Sequence, residues 1–89
     1  MIIDVDQFVL ASRPRWQELE QMLRWLDESG EKPTLAQVQR LHHLYERASS
    51  DLVRLETYSA PGEARTYLQS LVARSYSQVH QVQRKRLRG

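Results

Sequence analysis

The chain has 89 residues, 40% of them apolar and 27% charged, with three Gly, three Pro and no Cys. That is one domain with a modest core, and it excludes disulfides, thiolate metal sites and a cysteine nucleophile. The net charge of +2 divides unevenly: residues 1–62 hold seven Lys/Arg against ten Asp/Glu, and residues 63–89 hold six against one, so a mildly acidic body ends in a basic tail.

The opening MIIDVDQF carries acids where a secretory signal would carry basic residues. Met1 to Ile3 are apolar and expected to pack down. Asp4 or Asp6 is placed to cap a first helix, because a carboxylate accepts hydrogen bonds from the free amides of a first turn. Val5, Phe8 and Val9 give that helix an apolar side. Pro14 is expected to break or kink it, with Ser12 as the cap of a new segment. Beyond it Trp16, Leu19, Leu23 and Leu26 form an inward stripe, widened by Met22 and Trp25. Glu20 and Arg24 have the i,i+4 spacing of an outer ion pair. Gly30 is the expected C-terminal cap.

Glu31-Lys32-Pro33 reads as the first loop. Thr34 with Gln37 three residues on is a capping-box pattern, opening a helix expected over 35–59. At 1.5 Å per residue it would be roughly 37 Å long. Val38, Leu41, Tyr45, Ala48, Leu52 and Leu55, spaced three and four apart, make its stripe, with Arg47 and Asp51 one turn apart. Pro61-Gly62 marks the second turn. The last helix, expected over 63–86, puts Ala64, Leu68, Leu71, Ser75, Val79 and Val82 on its inner side.

Three long amphipathic segments joined by short loops predict antiparallel neighbours. The expected fold is all-α, a single elongated three-helix bundle with its first helix, over about 5–29, interrupted near Pro14. No run of eighteen apolar residues occurs, so nothing in these residues spans a bilayer.

Reactive chemistry finds little support in the sequence. His42 and His43 are adjacent and diverge by roughly 100° on a helix. His42 and Glu46 have i,i+4 spacing, and a third ligand would have to be His80, on another helix. No HExxH pattern is present, so solvated histidines are the preferred reading and no metal or other cofactor is expected. An all-helical enzyme of the chorismate mutase class needs several cations pointing inward. Arg13, Arg15, Arg40, Arg47 and Arg74 mostly avoid the inner stripes, which argues against it and against any catalytic residue. The aromatics, at helical spacing, read as core and boundary residues rather than stacking platforms for bases.

The basic tail is the stronger signal. Arg84, Lys85, Arg86 and Arg88 place four cations within five residues, more than a helix dipole calls for. Two partners fit such a cluster, nucleic acid and the anionic cytoplasmic surface of a membrane. No recognition helix or RNA-binding motif accompanies the tail, and the body before it is acidic, so the membrane-proximal reading is preferred, with a small helical nucleic-acid-binding protein using the basic C-terminal end as the alternative. Trp25, Leu44, Val53 and Tyr58, near the edges of the stripes, are the expected interaction surface, with self-association as one use of it.

Three blocks carry a family resemblance: Phe8 with Pro14-Arg15-Trp16 and Leu19; Leu44-Tyr45-Glu46-Arg47-Ala48-Ser49-Ser50-Asp51-Leu52; and Tyr67-Leu68-Gln69-Ser70-Leu71-Val72-Ala73-Arg74-Ser75-Tyr76. In this order they resemble the N-terminal cytoplasmic region of the stage II sporulation protein M family of bacterial integral membrane proteins. Gln69 departs from the Asn of that pattern, and Tyr76 and His80 stand in exchanged places. The resemblance implies a non-enzymatic head domain at the cytoplasmic face of the inner membrane, followed by membrane helices outside these residues. It also implies scaffolding by protein–protein contact, as in spore formers, where a family member works beside peptidoglycan-degrading partners. No catalytic residues come with it.

Overall fold

A computed structural model describes residues 4–58 and 62–87, without the side chains of 83 and 85–87. Within them the chain forms α1 (Val5–Ser29), α2 (Leu35–Thr57) and α3 (Gly62–Leu87), and no strand. The expected all-α three-helix bundle is present. It measures 50 × 20 × 18 Å. α1 and α2 run antiparallel, as do α2 and α3, so α1 and α3 are parallel. One end of the bundle holds the α1–α2 loop and the last turns of α3; the other holds the starts of α1 and α3 and the end of α2.

The helix ends follow from local chemistry. Asp4 caps α1, its side chain accepting from the Gln7 amide at 3.1 Å. Gly30 closes it in the left-handed region at φ 69°. At Thr34 the capping box is complete: the Gln37 amide donates to the threonine hydroxyl at 3.2 Å, and the Thr34 amide donates to the Gln37 side chain at 2.8 Å. α2 ends at Thr57, two residues earlier than expected, and Tyr58 donates its amide to the Arg54 carbonyl at 3.0 Å. Gly62 belongs to α3 rather than to the turn. The expectations for Met1 to Ile3 and for Pro61 fall outside the described residues.

Pro14 does not break the first helix. α1 runs unbroken through it, because the ring is on the exposed side. The amide that proline lacks would have bonded the carbonyl of Leu10, a residue 63% exposed, where water can replace the missing donor. Ser12 therefore caps nothing. It sits mid-helix and buried.

The core is a single cluster containing Trp16, Leu19 and Leu23 of α1, Leu41, Leu44, Ala48 and Leu55 of α2, and Leu68, Leu71, Val79 and Val82 of α3. Ser75, fully buried, satisfies its hydroxyl by donating to the Leu71 carbonyl at 2.7 Å, and its small side chain lets the helices approach. Polar ties on the outside fix the register. Arg40 of α2 grips Glu18 of α1 through Nε and a terminal nitrogen, both at 2.7 Å. This holds the Glu18 carboxyl below its ordinary range, chiefly through the hydrogen bonds to Arg40. Gln78 of α3 donates to Asp27 of α1. The guanidinium of Arg54 lies 5.8 Å from the centre of the Phe8 ring, close enough for a cation–π contact.

A methyl group added at Gly30 would meet nothing within 4 Å, so substitution there tests the backbone alone. Gly30→Ala is expected to destabilise by about 1 kcal/mol, the left-handed penalty for a residue with a Cβ. A urea titration showing no shift in midpoint would remove that role from Gly30.

Candidate functional site

The polar centre of the bundle is a carboxylate that the sequence places one turn from Arg47 but the fold turns inward. Asp51 is 2% exposed. Its Oδ2 accepts from the indole Nε1 of Trp16 at 2.9 Å and from a guanidinium nitrogen of Arg15 at 3.3 Å. The same Arg15 nitrogen reaches the Ser12 hydroxyl at 3.4 Å. Arg15 Nε is buried without a hydrogen-bond partner among the described residues. The side chain of Arg15 is 33% exposed and that of Asp51 4%, so the pair joins the core to the surface of the α1–α2 seam. Charge-assisted hydrogen bonds in such a place are strong when complete. With the carboxylate occupied by an indole and a guanidinium, the cluster reads as a clasp between α1 and α2.

Trp16 links this clasp to a groove of about 690 Å³ between the first halves of α1 and α3. Val9, Leu10, Trp16, Ala64 and Tyr67 give it an apolar floor, and Asp6, Glu20 and Glu63 stand around it with Arg13. The rings of Trp16 and Tyr67 lie 6.5 Å apart, tilted at 46°. Tyr67 donates its hydroxyl to Glu20 at 2.9 Å, and Glu20 also meets Arg24 at 3.9 Å, the pair expected from their spacing.

Partial burial, and then the hydrogen bond to the Glu20 carboxylate, push the Tyr67 phenol up to about 12. A raised folded-state value means that this contact stabilises the fold fully below pH of about 10, the ordinary phenol value, and is lost as pH climbs toward about 12. An ultraviolet titration of tyrosinate is expected to show one late-titrating phenol that disappears in Tyr67→Phe; a late step surviving that substitution would assign it elsewhere.

A third feature crosses the outer α2–α3 seam. The rings of His42 and Tyr45 are 6.5 Å apart, those of Tyr45 and Tyr76 6.4 Å, and those of Tyr76 and His80 4.3 Å. Beside this row lies a shallow groove of about 350 Å³ with Val38, Leu41, Val79 and Val82 in its wall. His42 Nδ1 is 3.2 Å from Glu46, as their spacing suggests. His80 packs on Tyr76, and no group of three His, Asp or Glu placed to hold a metal occurs among the described residues. No helix among them is long and apolar enough to cross a membrane.

The residues singled out from the sequence separate. Arg84 is exposed on α3, which continues through Lys85 and Arg86; their side chains and Arg88 fall outside the described residues. Leu44 is not an edge residue: it is 2% exposed and belongs to the core. The line of greatest burial on α2 runs through Leu41, Leu44, Ala48, Asp51 and Leu55, one position round from the expected stripe. Trp25 is half-buried and lines a groove of about 270 Å³ with Met22, Leu26, Pro33 and Val38 near the α1–α2 loop. Val53, 62% exposed, and half-buried Tyr58 lie at the opposite end. These four therefore make no single surface. Asp51 went unrecognised because an acid reads as outward; its spacing within the 3-4-3-4 run of Leu41, Leu44, Ala48 and Leu55 was the available signal.

A family model described as a domain of unknown function (DUF8413) matches residues 6–81. No curated protein and no solved structure matches the chain.

Proposed function

We propose that this chain, which belongs to the DUF8413 family, is the helical head of a bacterial membrane-associated protein, a non-enzymatic scaffold acting by protein–protein contact at the cytoplasmic face of the inner membrane. The observation that carries the reading is the polarity of the bundle. The open groove between α1 and α3, apolar in its floor and charged at its rim, lies at the end of a 50 Å body remote from the basic last turns of α3. A body set with its basic end toward anionic headgroups holds that groove out toward the cytoplasm, where a partner helix can fill it.

The resemblance to the stage II sporulation protein M family supports the same reading. Its three blocks meet in space, since Arg15 and Trp16 come from the first, Asp51 from the second and Tyr67 from the third. The contacts of Trp16 with Asp51 and with Tyr67 tie the three helices together, and a rigid head suits scaffolding.

The test is in-cell photo-crosslinking with the protein expressed from its own gene. A crosslinking residue at Leu10, on the groove, is expected to yield a discrete product in the membrane fraction, and one at Glu28, on the far end of α1, is not. Recovery of the protein in the soluble fraction with no product at Leu10 would sink the reading.

A further inference from the structure

We infer that the α2–α3 face at the basic end of the bundle is the surface that lies against anionic lipid, with Tyr76 and His80 at the contact; this deepens the membrane-associated reading above and rests on it.

The row of His42, Tyr45, Tyr76 and His80 leads along α3 toward the tail, and Arg84 follows His80 by one turn on the same side of the helix. Tyr76 is 55% exposed although it is a large ring. The groove beside the row is walled by half-buried Val38, with the core residues Leu41, Val79 and Val82 at its base. Shallow apolar surface, rings with a polar edge and then cations is the order in which side chains meet a bilayer on passing from its acyl boundary to its phosphates. Tyrosine suits that boundary because its ring is apolar and its hydroxyl wet.

Charge selects this face over the other groove. The α1–α3 groove presents Asp6, Glu20 and Glu63 against Arg13, and an anionic surface would repel it. On the α2–α3 side the acid beside the row is Glu46, 3.2 Å from His42 Nδ1, and the last turns of α3 carry Arg84, Lys85 and Arg86 in sequence. A bundle resting on this face lies at an angle to the membrane, with its tail and its ring row both in contact and its acidic groove turned away.

The chain has no cysteine, so single cysteines carry a spin label without background. The full chain bearing Tyr76→Cys, His80→Cys or Leu10→Cys is labelled and mixed with phosphatidylglycerol–phosphatidylcholine vesicles. Collisional accessibility to oxygen and to a water-soluble nickel chelate is then read by electron paramagnetic resonance. Labels at 76 and 80 are expected to become oxygen-accessible and chelate-excluded on binding, with the label at 10 unchanged. In the unlabelled chain Tyr76→Ser is expected to weaken vesicle binding about fivefold, and neutralising Arg84 to weaken it by a similar factor, the fivefold that about 1 kcal/mol per surface cation represents. Vesicle binding with 76 and 80 no more lipid-exposed than 10 would overturn the face while leaving the membrane reading intact. No vesicle binding at all would overturn both. Protection of positions 76 and 80 by a single-stranded oligonucleotide, without any by vesicles, would give the face to nucleic acid and overturn the inference.

Discussion

Asp51→Ala is expected to destabilise the bundle by about 3 kcal/mol, the range for removing one partner of a buried charge pair. The carboxylate is 4% exposed at its side chain and holds both the Trp16 indole and the Arg15 guanidinium. Without it the indole N–H, buried with Trp16 in the core, has lost its acceptor. Arg15 is less costly to strand, because a third of its side chain already reaches solvent and water can take over. That is why the expectation lies at the lower end of the range. For a domain of this length each kcal/mol moves the midpoint by about 4–8 °C, so thermal unfolding is expected some 12–24 °C lower. Asp51→Asn keeps the shape and one acceptor oxygen while losing the charge, and should fall between wild type and Asp51→Ala. Trp16→Phe removes the N–H but leaves the carboxylate to Arg15, and its effect should shrink when Asp51 is already alanine. Full additivity of those two changes in urea denaturation would mean that the 2.9 Å contact contributes little.

The clasp also marks where the sequence could and could not be read. Helix number, polarity and caps follow from local rules: Asp4, Gly30 and the Thr34–Gln37 pair each act on backbone within a few residues, and the structure places them as expected. The inner side of α3 was legible for the same reason, since Leu68, Leu71, Ser75, Val79 and Val82 recur at helical spacing and all are buried. Long-range polar pairing was not legible. Asp51 and Trp16 are 35 residues apart, and nothing local says that a carboxylate will face an indole rather than water. At Pro14 the helix continues rather than restarting; the local rule about helix interiors does not say which side of the helix is wet. The α1–α3 groove was illegible too. Val9, Leu10 and Tyr67 look like ordinary stripe residues until α1 and α3 are set side by side in parallel.

Leu44 and Val53 give a direct measure of how far the true packing line on α2 departs from the one that periodicity alone suggests. Both looked like edge residues in the sequence. In the bundle Leu44 is 2% exposed and Val53 62%. Truncating Leu44 removes three buried carbon atoms from the centre of the core, beside Leu41 and Ala48 on its own helix. Leu44→Ala is expected to lose about 3 kcal/mol, within the 2–5 kcal/mol typical of such changes, the exact figure depending on how far the neighbours relax into the space. Val53→Ala gives up little burial, since the residue is 62% exposed, and trades a β-branched residue for the best helix former, so it should be neutral or stabilising by up to about 0.5 kcal/mol. The contrast is independent of any partner, since it is read on the isolated chain by urea denaturation at one temperature. Equal effects at the two positions would mean that α2 is rotated from the arrangement described, with Asp51 carried out of the core along with Leu44. A rotation of that size would open the Trp16 contact and the clasp with it, so the Leu44 and Asp51 measurements must stand or fall together.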